Sequence, residues 1–340
     1  MAAAPRSAQP LLRYPSRPAA GRDGAGGAHR AAGETKRSAA DGAPPLTPLP
    51  ATGAVEVAVA MVRPRSLQPL FASQGERAAF WHRALADEAL ARWLAACKPT
   101  RLHVGSEFCE RLLPTPAQLT LNLAEAGTHG LGVSLLTPVA SPQVIDALAG
   151  LLPLLPAGAE VVVSDWGVAL LLQERFPQLT PVAGRILCRM LKDPRLGDPR
   201  YAPPAGHDLD SPALRAVLRR LNIARLEMDL PLFARDETFS GAPLPLDVHL
   251  PFAFVAKGRM CRTAGLARSG PERFSPRPFC HHECLGLRAD TVREAADDAW
   301  HTVHVGNTVL CRHSPATLAT TSRAAAAGRI ARLIVPGEAV

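Results

Sequence analysis

Apolar and polar residues take turns along 53–64, GAVEVAVAMVRP, a period of two that predicts a strand with one buried face. The period then changes. Over 75–97, GERAAFWHRALADEALARWLAAC, the residues Phe80, Ala84, Leu85 and Leu90 through Leu94 recur at helical spacing, so one helix is predicted. The short strand TRLHVG follows, and a loop leads to the helix TPAQLTLNLAEAGT, with Thr115 placed to cap it. The same exchange continues down the chain. LGVSLLTPV, AEVVVSD, LTPVAGRIL and ARLEMDLP read as strands. SPQVIDALAGLLPLL, WGVALLLQERF and DSPALRAVLRRLNI read as helices, the first and last opened by Ser-Pro. LDVHLPFAFVAKG, 246–258, reads as one more strand-like segment.

Strands alternating with helices at this spacing predict an α/β fold with a parallel sheet or barrel. About seven such units without a Gly-rich phosphate loop favour a (β/α) barrel, complete or broken, over a dinucleotide-binding sheet. Residues 1–50 lack this periodicity, are rich in Ala, Gly, Pro, Arg and Ser, and read as a disordered low-complexity tail. That leaves 51–340 as a single barrel-like domain. Within it, 258–286, GRMCRTAGLARSGPERFSPRPFCHHECLG, is an irregular segment holding three cysteines and two histidines.

Charge changes this picture little. The chain carries +8 overall, and seven Arg/Lys against three Asp/Glu in residues 1–50 supply half of it. The rest is spread without a Lys/Arg block, so an RNA partner is possible but not favoured. The longest apolar stretch, VVVSDWGVALLLQ, contains Asp165 and is too short to span a bilayer. The opening residues lack the apolar core of a secretion signal, and seven cysteines are few for a disulfide framework of this length. A reducing, cytoplasmic setting is expected, where clustered cysteines serve metals or redox chemistry.

The motifs of nucleotide binding and of serine or zinc proteolysis are absent: there is no G-x-x-x-x-G-K-[ST], no G-x-S-x-G and no H-E-x-x-H. The cysteines stand out instead. Eighteen residues separate Cys261 from Cys280, and three separate Cys280 from Cys284. A Cys-x3-Cys pair reaches one metal centre from a single turn, and the Gly/Pro-rich loop lets Cys261 join it. A fourth ligand is needed, and His281, His282 and a distant cysteine all qualify. Cys109 follows the strand TRLHVG, where a barrel projects functional groups; Cys97, Cys188 and Cys311 read as core or incidental. An iron–sulfur cluster, zinc and a metal-free thiol group all remain open on spacing. Ser106 and Glu107, beside Cys109, read as a solvated strand-end pair, against a substrate-facing role. Asp165, Glu227 and Asp229 sit at strand ends, where structural hydrogen bonding competes with catalysis. Arg185, with Arg195, is a candidate for an anionic ligand, against a solvent-facing or helix-end role.

TRLHVGSEFCERL, LPFAFVAKGRMCRTAGL and FCHHECLG together resemble the collagenase-like U-thirty-two peptidase family, most of all its UbiV-like ubiquinone-biosynthesis branch. The resemblance runs over about 55–309 and is specific only around the cysteines. It implies a barrel-like fold and a 4Fe-4S cluster held by Cys109, Cys261, Cys280 and Cys284. It also implies a role as one subunit of an oxygen-independent hydroxylase, as a heterodimer with a UbiU-like partner, acting on a quinone precursor or other small aromatic substrate. Prephenate is the implied hydroxyl donor, and no peptidase activity is implied. Hydroxylation of RNA bases and a zinc-stabilised binding module are the alternatives. PVAGRILCRMLKDPR departs from the branch's pattern, and the tail has no counterpart in it.

Overall fold

The computed structural model describes residues 44–50, 55–188, 209, 211–232, 234–266, 268–274, 280–295 and 298–339. One compact unit spans Ala43–Val340. Most of the predicted tail lies outside the described residues, but its last part does not behave as a tail. Leu49 is buried, Trp93 Nε1 donates to the Thr47 carbonyl, and Ser322 Oγ accepts from Thr47 N. Packing against the unit therefore starts before residue 51.

Eight parallel strands close into a barrel: β1 (Glu56–Met61), β2 (Arg101–Gly105), β3 (Gly132–Leu136), β4 (Glu160–Val163), β5 (Thr180–Ala183), β6 (Leu226–Met228), β7 (Leu246–His249) and β12 (Arg332–Pro336). The barrel is complete, because β12 pairs with both β7 and β1. The sequence pattern had missed that last strand. The predicted 246–258 strand is in fact two strands. β7 ends at His249, Pro251 brings no N–H to continue a ladder, and β8 (Phe252–Lys257) leaves for another sheet. That sheet is antiparallel, with order β8, β11 (Thr308–Arg312), β10 (Asp298–Val305) and β9 (Ala289–Ala295). Cys261, Cys280 and Cys284 lie in the connection between β8 and β9.

The helices follow the predicted alternation with one break. The helix expected over 75–97 is two, α2 (Gln74–Leu85) and α3 (Glu88–Leu94), after a short α1 (Gln68–Phe71). Ala86 turns left-handed at φ 50 and Asp87 caps the second piece through Leu90 N. Thr115 caps α4 (Pro116–Thr128) in a capping box with Gln118, as its sequence promised. Ser141 caps α5 (Pro142–Leu151), and Ser211 caps α7 (Pro212–Arg220). Asp165 caps α6 (Trp166–Arg175) through Gly167 N, so this strand-end carboxylate is structural. α8 (Arg262–Gly265) begins at Cys261, and α9 (Pro315–Ala326) precedes β12.

The strand alternation sorts residues between two environments. Val57, Val59, Leu102, Val104, Leu135, Val161, Val163, Leu226, Val248 and Leu333 join the main core between strands and helices. Inward positions are mixed. Leu136, Val162 and Val182 form a small apolar wall, while Glu160, His103, Glu227, Asp247, His249 and Arg332 are buried polar groups. Among the described residues, no helix is long and apolar enough to cross a membrane.

Candidate functional site

The polar interior is layered. At the strand starts, Arg332 donates to Glu56, Glu160 and Asp247, Arg225 grips Asp247 through two bonds, and Arg101 pairs with Glu160 at 3.5 Å. Three guanidinium groups face three carboxylates there, so this layer is neutral. One level up, Glu227 is held between two imidazoles, His103 Nε2 at 2.9 Å and His249 Nε2 at 2.8 Å. Burial pushes the Glu227 carboxyl up, but the two histidines outweigh burial and hold it below the ordinary carboxylate range. At the strand ends, Glu107 accepts from Arg185 Nε at 2.7 Å and from Arg185 N at 3.2 Å. Asp229 accepts from Phe254 N at 2.6 Å and stands 3.8 Å from Arg185 Nη1. Glu107 is only 1% exposed, so the solvated role expected of it is excluded. Arg185 is not solvent-facing either: its guanidinium is ion-paired and packs 4.7 Å from the Phe108 ring centre. Arg195 lies outside the described residues.

Above this floor a cavity of about 1150 Å³ opens at the carboxyl ends of the strands, and Cys109, Cys261, Cys280 and Cys284 all line it. Glu107, Arg185 and Lys257 line it as well. Each cysteine is set by its local backbone. Ser106 Oγ accepts from Phe108 N and Cys109 N, folding the residues after β2 into a turn that ends at Cys109. Ser106 is thus a scaffold group. Cys261 Sγ accepts from Ala264 N at 3.3 Å, and Cys280 Sγ accepts from His282 N at 3.4 Å.

The β10–β11 turn fastens these segments together. Gly306, at φ +58, and Asn307 form a two-residue hairpin loop, and Gly is the residue that takes that first position without strain. Asn307 Nδ2 donates to the Phe108 carbonyl at 2.8 Å and to the Gly258 carbonyl at 2.9 Å. Gly306 N donates to Thr263 Oγ1 and Arg262 N donates to the Gly306 carbonyl. A side chain on Gly306 would meet Cys284 Cβ at 3.2 Å and Sγ at 3.5 Å, with Cys261 Sγ at 3.9 Å. Bare backbone at 306 is therefore part of the cysteine pocket.

The thiols sense one another. Burial, then the nearby Cys261, Cys109 and Cys280, pushes the Cys284 thiol up to about 12. Burial also raises Cys109, with Cys280 and Cys261 adding to it. Among the described residues, Glu107, Glu227 and His249 form a group whose ligand atoms all lie within 4.8 Å of one another. The other cysteines stand apart. Cys188 and Cys311 are buried, Cys97 is half-buried, and none lines the cavity. His281 and His282 are exposed and also lie outside the cavity lining.

No family model matches this sequence, and no curated protein matches it.

The strand-end residues Glu107, Arg185, Glu227 and Asp229 were legible as candidates, whereas His103, His249, Gly306 and Asn307 were not. Charged or imidazole residues at inward positions of otherwise apolar strands, as in RLHVG and LDVHL, were an available signal. The alternation around Gly306-Asn307 was another, since Gly-Asn between two such runs marks a hairpin.

Proposed function

We propose that this chain is an iron–sulfur protein in which Cys109, Cys261, Cys280 and Cys284 hold a 4Fe-4S cluster at the mouth of the barrel. The observation that carries the reading is the convergence of these four thiols, from positions as far apart as 109 and 284, on the wall of one cavity. The residues fit such a group. The bare backbone of Gly306 leaves room beside Cys284 and Cys261, and backbone N–H groups point at the Cys261 and Cys280 sulfurs.

When bound, the cluster supplies one-electron transfer. The rest of the site belongs to the chain: the cavity shields a small aromatic substrate from water, and Arg185, held rigid by Glu107, presents a fixed guanidinium to it. On the family resemblance, the chain is a cytoplasmic UbiV-like subunit of an oxygen-independent hydroxylase, paired with a UbiU-like partner and acting on a ubiquinone precursor.

Anaerobic purification tests the cluster. Brown protein with about four irons and four labile sulfides per chain is expected. Colourless protein carrying stoichiometric zinc would overturn it. Ubiquinone measured in a deletion strain grown without oxygen tests the pathway, and a normal level there would remove the quinone role.

A further inference from the structure

We propose that the barrel floor beneath the cysteines binds one divalent first-row transition-metal ion through Glu107, Glu227 and His249, at a site separate from the thiols. The ligand atoms of these three side chains lie within 4.8 Å of one another, and all three residues are buried. They come from three different strand ends or strands: the turn after β2, β6 and β7. Two carboxylates and one imidazole suit manganese, iron or zinc in the divalent state, and leave coordination positions for solvent or substrate.

The site is also dry. Glu107, Glu227 and Asp229 are at most 1% exposed, with Arg185 2.7 Å from Glu107 and 3.8 Å from Asp229. A divalent cation held between the Glu107 and Glu227 carboxylates is a counter-charge in a setting where buried ions need one.

His103 supports the arrangement from outside. It is fully buried, its Nε2 is 2.9 Å from Glu227 Oε1, and its Nδ1 has no partner. The Nε2 contact orients Glu227, and Arg185 orients Glu107 from the other side. Such outer donors are what metal-binding carboxylates require. His249 lies 2.8 Å from Glu227 Oε2, a separation equally suited to neighbouring ligands of one ion.

The proposal stands apart from the cluster, and its test separates the two. Full-length protein, stripped with chelator, is titrated anaerobically with Mn2+ and followed by electron paramagnetic resonance. One Mn2+ per chain is expected, with nitrogen hyperfine coupling from a single imidazole and displacement by Zn2+. The Cys280→Ser/Cys284→Ser variant should bind it equally, whether or not a cluster forms in the wild type. Glu227→Gln and His249→Ala should weaken binding by about a hundredfold. Absence of saturable binding by the wild type, absence of nitrogen coupling, or loss of the ion in the cysteine variant would each overturn the proposal without any floor variant having to fold.

Discussion

Asn307 makes the sharpest test of how the cysteine pocket is assembled, because one amide group bridges two of the segments that carry thiols. Asn307→Ala deletes the bonds to the Phe108 and Gly258 carbonyls, which stand next to Cys109 and near Cys261. At about 1 kcal/mol net per hydrogen bond, the pair is worth about 2 kcal/mol. At about 2 °C per kcal/mol for a chain this long, the melting temperature should fall by roughly 4 °C. Asn307→Asp keeps the shape but sets a carboxylate oxygen against two carbonyl oxygens. It should therefore be worse than alanine, although it is the closer isostere. Thermal melting under anaerobic conditions, with iron counted on the same samples, reads both effects. Iron should fall in the order wild type, alanine, aspartate, since the Cys109 and Cys261 segments separate in that order. An aspartate variant as stable and as iron-rich as the wild type would refute the bridging role.

Three further expectations follow from the same geometry. Cys280→Ser or Cys284→Ser should remove the visible absorbance of anaerobic protein, while Cys188→Ser, outside the cavity, should keep it; equal spectra in all three would separate the thiols from any cluster. Arg185→Met leaves Glu107 and Asp229 buried without their cation and should cost about 3 kcal/mol in denaturant titration. Adding Glu107→Gln should recover much of that loss, and a double variant less stable than the single would contradict the pairing. For Glu160, burial pushes the carboxyl up, but the Arg332 hydrogen bonds and the Arg332 and Arg101 charges outweigh it and hold it below the ordinary range. A carboxyl depressed in the folded state contributes stability that is complete above its unfolded value of about 4.3 and fades as pH falls below it. The stability gap between wild type and Glu160→Gln should thus narrow from neutral pH towards about pH 3, and a constant gap would contradict the assignment. Asp247 moves oppositely, raised because burial exceeds the pull of Arg225 and Arg332, so only the difference against Glu160→Gln isolates Glu160.

The period-two and period-3.6 patterns by themselves determined the α/β barrel class, because each strand must turn an apolar face to the helices around it. They also determined the capped starts at Thr115, Ser141 and Ser211, where the signal is local. The four cysteines could be singled out by spacing and resemblance. Tertiary structure alone decided the rest. Closure by β12, and the departure of β8 into a second sheet, depend on which strands meet in space, which no local pattern encodes. The same holds for the floor. His103, Glu107, Arg185, Glu227 and His249 are single polar residues in or after four different strands, β2, β5, β6 and β7, and no one segment shows that they meet. Only the inward pleat of a closed barrel brings them together, away from water, where polar groups must find partners in one another.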